Sequence, residues 1–404
     1  MTPMSELPDQ ATKKHHFLYL DGLRGWASMV VVLYHFILAF YPALYSAQPE
    51  ESHFPNLIDC TIATSPYSIF YNGHFCVCIF FCLSGFVLSY KYLKEGDPEV
   101  IISSAVKRYF RLLIPVLFSI LLVFLLQKCS FFFHDAVADK TFSIRWLKGF
   151  WKTDHTLKQM LDNAFIQVFF NQDIAYNTVL WTMRTELLGS YLVFSLLALF
   201  SRLRHRFLIY GFIAVVFLKV FLFHYVGFLA GMIICDLYIS KPKFLYWISK
   251  RGINGTLLAI GTFLGSCPSV ITKKSIYAYF TLRGEYAPDF YHVAGSLFIL
   301  TAFLGNRTIQ NLFSSKWSLH LGRCSFSMYL LHVPVIGSIG CFLFLKTEGM
   351  GSYHQQVFFV FVVYLLVVLV SSYYMTKYVD KNGIRLSEYI YSKYFKQTQE
   401  RFPN

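Results

Sequence analysis

The sequence predicts an all-α, polytopic membrane helix bundle of about ten transmembrane helices. Three observations carry that prediction. First, 55% of the 404 residues are hydrophobic and only 14% are charged, against about 25% charged in soluble domains. Such a chain cannot cover itself with polar side chains. Second, apolar runs close to the ~20 residues that span a bilayer recur along its whole length. Third, Lys and Arg gather between alternate runs. The 43 Phe and 28 Tyr fit the same setting, because aromatic rings with a polar edge collect where lipid meets water.

The runs fall at 25–45, 72–90, 110–127, 178–200, 206–222, 223–239, 253–270, 289–304, 324–345 and 355–377. Asp21 and Arg24 stand at the entrance of the first, and no small-residue cleavage site follows a short apolar core. It therefore reads as a retained span and not as a signal peptide. The loop that follows, 46–71, has no Lys or Arg, whereas Lys91, Lys94, Lys107, Arg108 and Arg111 join the second run to the third. After the long 128–177 loop, Arg202, Arg204 and Arg206 join runs four and five. Lys241, Lys243, Lys250 and Arg251 join six and seven, and Arg307, Lys316 and Arg323 join eight and nine. With Lys13, Lys14, Arg24 and the six basic residues from Lys377 onward, 24 cations lie on the side of the N-terminus against ten opposite. The positive-inside rule makes that side cytoplasmic, and an even number of spans puts both termini there.

The chain divides into a cytoplasmic tail over 1–20, a transmembrane domain over 21–378 and a second cytoplasmic tail over 379–404. It shows no tandem repeat and no soluble domain, so function resides in the bundle or at its mouths. The net charge of +14 does not imply nucleic acid, because no soluble segment carries a basic stripe or an aromatic-and-Arg module. The nine Cys lie mostly inside apolar runs and read as small buried hydrophobes. Cys76-Val77-Cys78 lacks the spacing and partner pair of a zinc site, and no metal is implied. The sequons at Asn254 and Asn306 fall on the cytoplasmic side, where they are expected to stay unmodified.

Charged side chains inside a span are costly, at least about 2.5–3.5 kcal/mol on insertion scales for Arg, Lys and Asp, so each titratable group there needs a reason. Arg24 and His35 are eleven positions apart in the first run. That is about three helical turns, which puts them on one face with His35 roughly 16 Å deeper. His332 lies nine residues past Arg323, about 13 Å in from the same side, level with His35. His74, Arg184 and Glu186 are the other intramembrane polar groups, and Arg184 with Glu186 reads equally well as a structural ion pair.

These residues sit in motifs. The Arg24–His35 spacing, Gly73-His-Phe-Cys-Val-Cys-Ile-Phe-Phe-Cys-Leu-Ser84-Gly85-Phe86, Lys107-Arg108-Tyr-Phe-Arg111 up to Pro115, Leu180-Trp181-Thr-Met-Arg-Thr-Glu186, and Leu321-Gly322 through Ser325-Phe326-Ser327, Tyr329 and His332 to Pro334 occur in that order. Together they resemble the signature of the acyltransferase-3 family of integral membrane acyltransferases, departing from it mildly at Phe326 and Lys107. The absence of an extra hydrolase-like domain resembles the fungal branch that tailors natural products.

The resemblance implies an O-acyltransferase that moves an acyl group, an acetyl group in the first instance, from acyl-CoA to a hydroxyl of a small molecule such as a terpenoid, polyketide or sugar. Acyl-CoA is then a co-substrate, no permanently bound cofactor is implied, and the expected membrane is the endoplasmic reticulum or the plasma membrane. Acyl transfer needs a base, a grip on the thioester and donors for the developing oxyanion. His35 is the candidate base, because a neutral imidazole suits that work. Arg24, with Arg108 and Arg111, is the candidate grip on the CoA phosphates, and His332 or Glu186 the group that orients His35 or the acceptor. A proton-coupled transporter is the alternative, since intramembrane His, Glu and Arg also build proton relays. Inverted repeats and broken helices would favour it, and the sequence has neither. His134 and Asp139 match a His-x4-Asp acyltransferase pattern, which reads as a chance match in an outer loop.

Overall fold

A computed structural model of the chain describes residues 17–272, 275–279 and 286–396; of the expected tails, 1–16 and 397–404 lie outside it. Each of the ten apolar runs forms a helix: α1 (Leu18–Phe40), α2 (Gly73–Glu95), α3 (Pro98–Lys128), α4 (Trp181–Phe200), α5 (Arg206–Lys219), α6 (Phe223–Ser240), α7 (Arg251–Gly265), α8 (Ala287–Gly305), α9 (Lys316–Val335) and α10 (Tyr353–Met375). No strand occurs among the described residues. The ends follow local chemistry. Asn72 caps α2 by accepting the Phe75 N–H, Gly96 ends it at φ 71°, and Asp97 with Pro98 starts α3. Ser352 and Gln355 form a capping box on α10.

Among the described residues, eight helical segments are long and apolar enough to cross a membrane. α5 and α7, at 14 and 15 residues, rise only ~21–23 Å, short of a ~30 Å hydrocarbon core. The chain still traverses the bundle with each. α4 and α6 begin together at one end, where the Trp181 and His224 rings are 5.1 Å apart. Both finish at the other, where Ser201 meets Tyr92 and Tyr238 packs on Phe86. α5 must therefore return the chain between them. In the same way Asn254 of α7 donates to Ala302 O at one end, while Cys267, just past α7, accepts from His292 at the other. The order of ten runs holds, with two of them shorter than their apolar stretches. Phe221 takes φ 59° after α5, and Pro268 stops the chain after α7. The start of α1 and the end of α10 lie at the same end, called here the basic end.

Small residues set the closest packing, as membrane bundles require. A Cβ on Gly25 would stand 2.4 Å from Gly322 N, so α1 and α9 touch there backbone to backbone. His35 and His332 each lie ten residues further on, about 15 Å along parallel helices. That contact thus fixes the register that brings the two imidazoles together. α2 and α6 touch likewise at Gly85 and Gly231. Asp236, an acid buried in α6, is held by Arg206 at 2.5 and 2.7 Å, which fastens α5 to α6.

Segments 41–72 and 129–177 fold over the far end as short helices and turns. They are tied down by Ser143 Oγ to Leu38 O at 2.6 Å, His53 Nε2 to Thr141 O at 3.0 Å and Trp151 Nε1 to Tyr176 O at 2.7 Å. The His134 and Asp139 match serves this cap. His134 donates to Phe150 O, and burial holds its imidazole below the usual histidine range, while Asp139 pairs with Lys148. Asn254 and Asn306 bond to each other at 2.7 Å, with Asn254 3% exposed. All nine Cys are unpaired, seven of them buried.

Candidate active site

At the basic end a cavity of about 660 Å³ opens between α1, α2, α3, α4, α9 and α10, within the size range of small-molecule sites. Its rim holds Arg24, Arg108, Arg111, Arg323, Lys377 and Lys381 against Asp21, Glu186 and Asp380. These groups are not equivalent. Arg108 is paired with Glu186, with side chains 11% and 15% exposed, and its Nε donates to Ser190 Oγ at 2.7 Å. Ser84 donates to the same Glu186 oxygen at 2.7 Å. This network joins α2, α3 and α4 and leaves Arg108 no free fork. Arg24 lies 4.0 Å from Asp21 and is a third exposed, and Arg111, Arg323, Lys377 and Lys381 are exposed at the rim. An anion entering the cavity meets those side chains first.

Tyr329 lines the inner part of the cavity, with its hydroxyl bonded to Val179 O and to Thr182, both at 3.0 Å. Behind it, with ring centroids 5.9 Å away, lies His332. His332 Nδ1 is 3.0 Å from Met328 O. A carbonyl oxygen only accepts, so that nitrogen carries the proton and Nε2 is bare. His35 Nδ1 is 3.0 Å from both Val31 O and His332 Nε2, so it too carries its proton and shares it between two acceptors. His35 Nε2 is left as a lone pair with no hydrogen bond among the described residues. The arrangement can take a proton at that atom, with His332 fixing the tautomer, the logic by which a second group orients a catalytic imidazole. Trp146, from the far-end cap, lies against the His35 ring at 5.7 Å.

The structure therefore joins His35 to His332, as their matching depth implied, and keeps Arg24 separate at the mouth. Arg111 stands beside the cavity as expected, but Arg108 and Glu186 form a buried pair with each other. Arg184 takes no part in it, and its Nε is buried without a partner among the described residues. Sequence reasoning missed Arg323, Lys377 and Lys381 as rim cations. Their place in charged stretches near span ends was the available signal. It also missed Trp146, whose loop gave none.

An all-helical bundle that couples a cation-ringed cavity to an oriented imidazole has the parts of an acyl-transfer enzyme. The sequence model of a family described as an acyltransferase domain matches residues 17–377, and the chain belongs to that family. It is an acyltransferase and a multi-pass membrane protein. It is similar to the O-acetyltransferase PaAT-1 of Phomopsis amygdali, 23% identical with 96% of this chain and 86% of that protein covered. Acyltransferase R4 of Phoma sp. is 24% identical over 92% and 95% of the two chains, and acyltransferase clz18 of Cochliobolus lunatus is 24% identical over 81% and 84%. No solved structure matches the chain.

Proposed function

We propose that the chain is an acyl-CoA-dependent O-acyltransferase that acylates a hydroxyl of a small molecule, with acetyl-CoA as the first donor to test. The observation that carries this reading is the bare Nε2 of His35, oriented by His332, inward of Tyr329 in a cavity whose rim is basic. The CoA phosphates sit among Arg24, Arg111, Arg323 and Lys377, and the thin pantetheine arm runs inward past Tyr329. His35 Nε2 takes the proton of the acceptor hydroxyl as its oxygen attacks the thioester carbonyl. The C–S bond then breaks, the ester forms, and the proton passes to the leaving thiolate to give free CoA. The choice of an acetyl donor is supported by the O-acetyltransferase among the similar proteins.

The test is transfer of label from radioactive acetyl-CoA to a panel of terpenoid alcohols, phenolic polyketides and monosaccharides by the purified protein. Net uptake of such a compound into proteoliposomes with no acetyl-CoA consumed would identify a transporter instead. A rim that binds phosphates predicts a split effect. Arg111→Ala with Arg323→Ala should raise KM for acetyl-CoA about tenfold or more, since a charge-assisted contact contributes about 1.5–3 kcal/mol, with acceptor KM little changed. Equal effects on both substrates would assign these side chains to the fold. The basic rim also belongs in the cytosol with acyl-CoA. Reporters fused after Asn404 and within 46–71 should therefore read cytoplasm and the opposite side, respectively, and the reverse result would invert the site.

A further inference from the structure

A second pair of imidazoles lies at the far end of the bundle, outside the machinery described so far. His74 opens α2, His224 opens α6, and Asp289 and His292 lie in the first turns of α8. His292 Nε2 is 2.8 Å from Cys267 O and 3.0 Å from Asn72 Nδ2; the two Asn72 amide hydrogens go to Gly265 O and Cys267 O and a carbonyl only accepts, so His292 Nε2 carries the proton and Nδ1 is bare. His74 Nδ1, 2.9 Å from it, must then be the donor. His74 Nε2 is left as a lone pair 3.4 Å from a carboxylate oxygen of Asp289. Two acceptors do not face each other without a proton between them, so this pair shares one and is neutral as a unit. The order of carbonyl, imidazole, imidazole and outward nitrogen repeats that of Met328, His332 and His35.

The surroundings point to a ligand. His224 Nε2 is buried with no hydrogen-bond partner among the described residues, a desolvation cost that a bound polar group would remove. The His74 and Asp289 side chains remain 26% and 30% exposed. Trp181 lies parallel to His74, at 10° and 6.5 Å, and 5.1 Å from His224, offering a flat apolar wall. The place is also close to the chemistry. Gly73 abuts the ring of Tyr34, next to His35, so His74 and His35 are at one depth. Val77, one turn from His74, and Thr182, next to Trp181, line the cavity. Among the described residues no His, Cys, Asp or Glu group is arranged to hold a metal ion.

We propose that His74, Asp289 and His224 form an acceptor subsite that recognises a second hydroxyl on a ring-bearing, otherwise apolar molecule packed against Trp181. The proposal rests on the acyltransferase reading above and narrows its acceptor to molecules with at least two oxygen functions. A hydroxyl both donates and accepts, which suits a neutral His–Asp pair beside an unpartnered imidazole nitrogen. One hydroxyl is held here while the other meets His35.

The test uses the full-length protein, acetyl-CoA and whichever panel alcohol the wild type acylates, paired with the same skeleton lacking its second hydroxyl. His224→Phe keeps an aromatic ring and removes the nitrogens, and no group among the described residues bonds to Nε2, so the fold loses no partner there. It should lower kcat/KM for the acceptor at least about tenfold, leave KM for acetyl-CoA within about twofold, and abolish the preference for the diol, because a site built around a hydroxyl discriminates strongly against its absence. Asp289→Asn should do the same. An active wild type whose diol preference survives both substitutions overturns the subsite alone. A wild type that acylates nothing in the panel overturns the acyltransferase reading and the subsite with it.

Discussion

His35→Ala should lower kcat by about two to four orders of magnitude, the usual worth of general-base catalysis, while acetyl-CoA binding and the yield of monodisperse protein stay near wild type. The expectation follows from the hydrogen-bond order, in which His35 Nδ1 is committed to Val31 and His332 and only Nε2 is free to accept. His332→Ala should cost less, because the Val31 carbonyl still holds His35 Nδ1. A structural role would give the opposite pattern, with less folded protein and unchanged turnover per folded molecule. The measurement is turnover normalised to folded protein, alongside CoA affinity. If His35→Ala keeps more than about a tenth of normalised turnover, the base lies elsewhere.

Glu186→Ala should destabilise the bundle by about 3–5 kcal/mol, the usual result of removing one partner from a buried ion pair. It strands the Arg108 guanidinium, 11% exposed, between α3 and α4, and takes the acceptor from Ser84. The readout is thermal unfolding in detergent. Restoring neutrality in the double variant Arg108→Met with Glu186→Leu should recover most of that loss, since a well-packed apolar pair can replace a buried ion pair. If the single change leaves the melting temperature unmoved, the pair belongs to the chemistry and not to the fold.

The ten helices were legible because apolar length and basic loops are local properties that any bilayer enforces residue by residue. The short reach of α5 and α7 was not. It depends on the turn at Phe221 and the stop at Pro268, and on how far neighbouring helices leave the chain to travel. The depth of His35 and His332 could be counted along each helix, so their meeting was within reach of the sequence. Arg108 could not be told from Arg111 that way. The two are three positions apart in one basic motif, yet one faces Glu186 and the other the open rim.

By itself, then, the sequence determined a membrane-embedded helical bundle, its crossing order, its family motifs and the polar residues worth questioning, since these depend on composition and on spacing within one helix. Tertiary structure decided which cations are spent on the fold, which imidazole nitrogen is bare, and that a second histidine pair exists beside Asp289 and His224. His74, His224 and Asp289 start three different helices and lie up to 215 positions apart. No local pattern encodes their meeting, because hydrogen-bond direction and proton placement exist only once helix packing has brought the partners within about 3 Å.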